Sequence, residues 1–328
     1  AATSSPTSEA PMTNVAIACQ GGGSHTAFTA GVLDEVLPWL EAHDCELVGL
    51  SGTSGGAVSA VAAWSGYLTG GAAGACEVLS DIWADVAVSN PLEDAANRWL
   101  VWSLEAQNAG FPVPAFSPYA LPWSELGKRR FRRILERHVA FEDFEALADA
   151  GAPELVVGTV DVEAGEFETF HNADVTSEAV LASSAVPTLF EAVELHGHAH
   201  WDGLFSQNPP VSDLMHQPPD RKPEELWIVQ INPQEFEGVP STNEVIADRR
   251  NELSGNISLN QELGFIEQVN EWVDEGKLPA EEFERTEIRH IEMGKRFHCS
   301  TKVDRDPAFL DELRELGSRR ARDFLASH

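Results

Sequence analysis

The chain has 328 residues, of which 43% are hydrophobic and 23% are charged, so it can bury a substantial core and is not disordered throughout. It carries 53 Asp and Glu residues against 22 Lys and Arg, and the net charge of −31 opposes binding to nucleic acids and to anionic membranes. No apolar run approaches the roughly 18 residues of a transmembrane helix. Any contact with a membrane or a granule would therefore be peripheral.

Acidic residues are spread along the whole chain, and Lys occurs only five times. This pattern predicts a protein that works in high salt, as in a halophile, where mobile ions screen the repulsion between carboxylates. The alternative is an ordinary acidic protein. The four cysteines are far apart and form no CxxC pair, which favours a reducing, cytoplasmic location over disulfides or a zinc site. We expect no cofactor and no metal ion.

The N-terminal residues are small and polar. They lack the basic and apolar regions of a secretory signal, so we expect a disordered tail over residues 1–12. No linker or internal repeat divides the remainder, which predicts a single domain over residues 13–328.

Strand, glycine turn and helix alternate from the start of this domain, and this order predicts an α/β fold with parallel strands and crossover helices. Strands are predicted at 14–19, 46–50, 154–160, 166–170, 226–231 and 286–293. Helices are predicted at 25–42, 54–67, 244–275 and 307–327, and across most of 70–138. Residues 110–123 interrupt the helical region because they are rich in Pro and aromatic residues.

Residues 52–56 read Gly-Thr-Ser-Gly-Gly, which has the G-x-S-x-G form of a nucleophile elbow. The segment follows a strand-like run and precedes a helix-like run, so Ser54 would sit on a sharp strand-to-helix turn. The positive end of the helix would stabilise negative charge at the hydroxyl, and the N–H of Gly55 could help to hold an oxyanion. The alternative is a structural Gly-Ser turn.

Gly21, Gly22 and Gly23 follow the first strand and open the first helix, where their N–H groups could approach an anion. A dinucleotide-binding fingerprint would need glycine at position 26, which is Thr26, and an acidic residue after a second strand. An oxyanion loop fits better because a candidate nucleophile ends the next strand.

Asp202 stands in a Trp-Asp-Gly-Leu segment after a predicted hairpin. An Asp held in a glycine turn could act as a general base, although a lone Asp-Gly is often only a turn.

These segments together resemble the patatin-like acyl hydrolases. The resemblance rests on GGG with AFTAGVLDEV at 21–36, GTSGG at 52–56, ASSAVPTLFEAVEL at 182–195 and WDGLFSQNPP at 201–210. It implies a three-layer α/β/α fold with a mostly parallel central sheet and a Ser–Asp dyad without a catalytic His. By position, Ser54 would be the nucleophile, Asp202 the base and Gly21 to Gly23 the oxyanion loop.

The function implied is a lipolytic serine hydrolase that cleaves phospholipid or neutral lipid esters through an acyl-enzyme. A polyhydroxyalkanoate depolymerase with the same dyad is an alternative, with a polyester as its substrate. A Rossmann-like nucleotide-binding protein is the alternative from another class, and it would show no serine reactivity.

Four further features have two interpretations each. His25 could contact substrate or be satisfied by the backbone at a helix start. The alternating histidines of residues 196–200 could form a metal-binding face, but a solvated hairpin is favoured. The basic run at 128–133 could hold an anionic headgroup, but pairing with nearby Glu is favoured. Residues 110–123 form either a loop that packs on the core or an apolar mouth through which a lipid substrate would enter.

Overall fold

The computed structural model describes residues 12–114, 116–120, 122–149, 151–279 and 283–328. The predicted N-terminal tail therefore lies outside the described residues, apart from Met12. The first strand starts at Thr13, where the sequence places the beginning of the domain.

The described residues form one eight-stranded sheet and eight α-helices. The strands are β1 (Thr13–Cys19), β2 (Cys45–Thr53), β3 (Glu154–Asp161), β4 (Glu166–His171), β5 (Val193–Leu195), β6 (His198–Asp202), β7 (Glu225–Gln230) and β8 (Glu287–Glu292). The helices are α1 (Ala27–Ala42), α2 (Gly55–Val86), α3 (Pro91–Asn108), α4 (Pro122–His138), α5 (Phe144–Leu147), α6 (Ser177–Ser183), α7 (Asn243–Asp274) and α8 (Pro307–Leu325). None of these helices is long and apolar enough to cross a membrane.

The sheet is mostly parallel, as predicted. Its strand order is β5-β6-β3-β2-β1-β7-β8, with β4 paired to β3. The central pairs β1–β2, β1–β7, β2–β3 and β7–β8 are parallel. The pairs that involve β4, β5 and β6 are antiparallel and lie at one end of the sheet.

Helices cover both faces of this sheet, which confirms the three-layer architecture. Side chains alternate along a strand, so Val15 and Ile17 of β1 join a core with α1, α2 and α8, whereas Ala16 and Ala18 join a core with α7.

Strand β3 is the junction that brings the two halves of the candidate site together. Thr53 of β2 lies opposite Gly158, and Asp202 of β6 lies opposite Thr159. Strand β4 pairs along residues 156–161 and therefore occupies one edge of β3. Strands β2 and β6 must then both pair with the opposite edge. The ends of β2 and β6 therefore meet on one edge, a single residue step apart.

The structure corrects some predicted boundaries. A 3₁₀ turn over Gly23–Thr26 precedes α1, which starts at Ala27 and not at His25. Strand β2 extends to Thr53 because parallel partners cover it on both edges. Helix α2 continues to Val86 past a break at Gly70 and Gly71, where φ is 62° at the second glycine.

Candidate active site

Ser54 occupies a strained turn between β2 and α2. Its φ of 56° and ψ of −130° lie in a region that non-glycine residues rarely adopt. Gly52 and Gly56 allow the turn to close, since a Cβ on Gly52 would stand 2.5 Å from the carbonyl oxygen of Gly56 and one on Gly56 would overlap the carbonyl oxygen of Cys19. The α2 N-terminus therefore begins directly after the hydroxyl.

Ser183 at the end of α6 fixes the elbow from the other side. The Ser54 N–H donates to Ser183 Oγ at 2.9 Å, and that hydroxyl donates to the carbonyl oxygen of Gly158 at 2.7 Å. The Ser54 amide is thus occupied and does not face an incoming carbonyl. Ser183 lies in the 182–195 segment that resembles the patatin-like proteins, but no role was predicted for it from the sequence.

Asp202 ends β6 with only 1% of its surface exposed. The N–H of Leu204 donates to its Oδ1 at 2.8 Å, which sets the orientation of the carboxylate. Burial raises the pKa of Asp202 to about 7. Hydrogen bonds from Leu204 and Ser54 and the positive charge of Lys302 each lower this pKa, but burial has the larger effect. A carboxylate with this pKa is a much stronger base than an exposed Asp.

Lys302, one of the five lysines, places a positive charge near the pair. It is partly buried, and its Nζ donates to Asn232 Oδ1 at 2.8 Å and also to Asn251 Oδ1. Burial lowers the pKa of Lys302 to about 8. Its backbone carbonyl packs against Gly23, so a Cβ at that glycine would overlap it. No role was predicted for Lys302, although the rarity of Lys in the chain was a usable signal.

The three glycines of the first loop divide into two groups. The Gly21 N–H donates to Asn208 Oδ1 at 2.6 Å and is therefore occupied. Within the described part of the chain, the N–H groups of Gly22, Gly23 and Gly55 have no hydrogen-bond acceptor. Three free amides beside a serine hydroxyl are the donors that an oxyanion requires.

Thr26 stands where a dinucleotide-binding fingerprint would need glycine, and its side chain holds the loop in place. Its Oγ1 donates to the carbonyl oxygen of Gly23 at 2.5 Å. The same oxygen packs against Gly55 so closely that a Cβ there would overlap it. Thr26 thus holds the glycine loop against the start of α2.

Asn208 and Gln20 tie the glycine loop to α7 and to the strand β7. Asn208 Nδ2 donates to the carbonyl oxygen of Gly255 at 3.4 Å. Gln20 Oε1 accepts from the N–H groups of Ile231 and Asn232 at 2.9 and 2.8 Å. Both side chains are fully buried, and their partners lie more than 40 residues away. Their role could not be inferred from local sequence.

None of the eleven histidines, all within the described residues, is hydrogen-bonded to Ser54 or Asp202. His25 is buried, and its Nε2 lies 2.7 Å from Thr301 Oγ1. Because that hydroxyl donates to the carbonyl oxygen of His298, the imidazole must donate to it. Burial holds the pKa of His25 well below its usual range, so the ring is neutral. His25 thus braces the loop through a side-chain partner.

The structure decides between the two interpretations of the basic run at 128–133. The basic run is paired with acids, as favoured, since Arg129, Arg130 and Arg132 contact Glu125, Glu93 and Glu178 at 2.8, 2.6 and 3.1 Å.

Most of the described residues between 110 and 120 are exposed, although Pro118 is buried. Phe111, Phe116 and Tyr119 are each more than 60% exposed, which favours the apolar mouth.

A family model described as patatin-like phospholipase matches residues 17–215 of the chain. Among solved structures, VipD from Legionella pneumophila is similar with a TM-score of 0.46 and 14% identity, over 98% of this chain and 68% of that chain. The ExoU–SpcU complex of Pseudomonas aeruginosa is similar with a TM-score of 0.40 and 16% identity, over 98% of this chain and 52% of that chain. The chain therefore spans about half the length of that matched chain. No match was found among curated protein sequences.

Proposed function

The chain belongs to the patatin-like phospholipase family, and on that premise we propose that it hydrolyses carboxylic esters of lipids with Ser54 as nucleophile and Asp202 as base. The observation that carries the proposal is the meeting of β2 and β6 on one edge of β3, which supports a direct contact between these two buried side chains. A histidine is not needed because burial already makes Asp202 basic enough to accept the serine proton near neutral pH.

The reaction then follows from the geometry. Asp202 takes the proton of the Ser54 hydroxyl as its oxygen attacks the ester carbonyl. The N–H groups of Gly22, Gly23 and Gly55 would stabilise the resulting oxyanion, helped by the positive end of α2. The proton passes from Asp202 to the leaving alcohol, and an acyl-enzyme remains. Water, deprotonated by Asp202, releases the fatty acid and restores the hydroxyl.

Exposed aromatic side chains support an apolar, interfacial substrate. Trp99 and Trp102 of α3 are 60% and 57% exposed, close in the sequence to the exposed aromatics of the 110–123 segment. Asn97 of the same helix donates to the carbonyl oxygen of Val303 at 2.7 Å, next to Lys302, whose backbone packs on the glycine loop. The net charge of −31 favours neutral or zwitterionic lipid surfaces over anionic ones.

A nucleotide-binding role for the glycine loop fits less well. A Cβ on Gly21 would stand 3.0 Å from the Cβ of Ser54, so the loop closes on the serine and not on an open crevice.

Active-site labelling tests the proposal. A fluorophosphonate should modify the wild-type protein at Ser54, and Ser54→Ala should lose both labelling and hydrolysis. Ser51→Ala is the matched control, because Ser51 is a buried serine on β2, the strand that leads to Ser54. Its hydroxyl has no hydrogen-bond partner among the described residues. Phosphatidylcholine vesicles, p-nitrophenyl esters and polyester granules should be compared side by side. Labelling at another residue, or an active Ser54→Ala variant, would overturn the assignment of the nucleophile. Hydrolysis of the polyester granules alone would identify a polyester, and not a lipid, as the substrate.

A further inference from the structure

The histidines of residues 196–200 are not a solvated hairpin throughout. His196 and His198 are exposed, but His200 on β6 is completely buried. Its Nε2 lies 2.5 Å from Glu168 Oε2, and His198 Nδ1 lies 2.5 Å from Asp161 Oδ2. The favoured sequence interpretation is therefore wrong for His200, because β6 is drawn into the sheet by its pairing with β3.

Strand register explains why these groups meet. Asp161 of β3 lies opposite His200 of β6, and Glu168 of β4 lies opposite Thr159, two residues before Asp161. Side chains two residues apart share a face, so Asp161, Glu168 and His200 project from the same face of three adjacent strands. One ligand atom from each lies within 4.8 Å of the other two.

The contacts of His200 require a proton or a cation between its ring and the carboxylate of Glu168. Its Nδ1 lies 3.0 Å from the carbonyl oxygen of His198, which can only accept, so Nδ1 carries a proton. In a neutral ring the lone pair is then on Nε2, which faces a carboxylate oxygen of Glu168. Two lone pairs at this distance require a proton or a cation between them.

We propose that Asp161, Glu168 and His200 bind a divalent transition-metal ion, with Zn²⁺ as the favoured ion and a water molecule as the fourth ligand. A mixed set of imidazole nitrogen and carboxylate oxygen suits zinc, whereas Mg²⁺ and Ca²⁺ prefer oxygen alone. Ligand atoms about 2.0–2.1 Å from a tetrahedral zinc ion stand roughly 3.3 Å apart. The three ligand atoms lie within 4.8 Å of one another, with His200 Nε2 and Glu168 Oε2 2.5 Å apart, so side-chain rotations would bring them to this spacing.

The ion would be structural. It would join β3, β4 and β6 at the junction from which Asp202 projects, two residues after His200. It would also neutralise two carboxylates in a strongly acidic protein. Bound zinc should therefore raise the melting temperature of the wild-type protein.

Metal titration tests the site in the full, untagged chain. The protein should be stripped with a chelator, dialysed into molar KCl to screen the acidic surface, and titrated with Zn²⁺ in a calorimeter. One equivalent should bind with saturation, and Co²⁺ in its place should give the visible absorption of a tetrahedral ion. Glu168→Gln keeps the shape of the side chain and should weaken zinc binding by about tenfold or more. Asp161→Asn, which changes a second ligand, should weaken it as well.

His171→Ala is the matched control. His171 is a second histidine between two carboxylates, with its ring nitrogens 2.8 Å from Glu154 and 3.6 Å from Asp213, at the other end of β4. Its loss should leave zinc affinity unchanged. The proposal is overturned if no saturable equivalent is found, if Glu168→Gln binds zinc as wild type does, if His171→Ala weakens binding equally, or if Mg²⁺ competes at similar concentrations.

Discussion

Replacing Asp202 by Asn should inactivate the enzyme and make the folded protein more stable at neutral pH. The amide has the shape of the carboxyl group, and its oxygen can still accept from the N–H of Leu204. It cannot take the proton of Ser54, so hydrolysis should fall by about 10²–10⁴-fold, the usual contribution of a general base. It also removes a negative charge from a site that is 1% exposed.

The sign of the stability change follows from the direction of the pKa shift. Burial raises the pKa of Asp202 from 3.8 to about 7, so the folded protein binds this proton more tightly than the unfolded chain does. The wild type therefore loses stability as the pH rises from about 4 to about 7. At 1.36 kcal/mol per pKa unit, the penalty is about 2 kcal/mol at pH 5.5 and about 4 kcal/mol at pH 8.

Thermal melting can detect a difference of this size. An unfolding entropy of about 2.1 cal/mol/K per residue gives roughly 0.7 kcal/mol/K for the whole chain, so Asp202→Asn should melt about 6 °C higher at pH 8 and about 3 °C higher at pH 5.5. Melts of both proteins in the same molar KCl, over a series of pH values, give the difference directly. The background titration of the acidic surface is common to both proteins.

Asp213→Asn is a control of opposite sign. Burial alone would raise the pKa of Asp213, but the neighbouring His171 imidazole, 3.6 Å away, lowers it below the usual range. The charged form is therefore the stabilising one, and Asp213→Asn should melt lower than wild type at pH 8. The reasoning about Asp202 is refuted if Asp202→Asn melts no higher than wild type at pH 8, or if the difference does not grow between pH 5.5 and pH 8.

The remaining predictions concern the loop, the base and the surface. The kcat/KM for a neutral ester should rise with pH with an apparent pKa of about 7, and a profile already flat at pH 5 would contradict an elevated Asp202 pKa. Gly55→Ala should lose at least about 100-fold in kcat because its Cβ would overlap Thr26, whereas Gly264→Ala, with no atom within 4 Å, should keep full activity. No single His→Ala variant should match the loss in Asp202→Asn, and an equally inactive one would indicate a triad. The melting temperature should rise steeply from low salt to about 1 M, where the Debye length falls to about 3 Å, and one that does not move would rule out a halophilic surface.

The sequence by itself determined the elements whose signals are local. The run Asn14–Cys19 is apolar and β-branched enough to form a buried strand, and Gly52 and Gly56 around Ser54 are the residues that a tight strand-to-helix turn requires. The residues after Ser54 predicted the helix that begins there. Each of these depends on contacts within a few positions, so the pattern of residue types was sufficient.

Only the tertiary structure decided which of these groups act together. Ser54 is fixed by Ser183, which lies 129 positions away, and Gly21 is held by Asn208, 187 positions away. No periodicity encodes such pairs, since they arise when β2 and β6 share an edge of β3.

Burial was decided in the same way. The local pattern of alternating histidines favoured a solvated hairpin, and the Asp-Gly pair at Asp202 gave no indication of burial. The sheet instead buries Asp202 and His200, because both lie in the part of β6 that pairs with β3. The chemistry of a carboxylate or an imidazole depends on its exposure to water, and that exposure is set by the packing of strands distant in sequence.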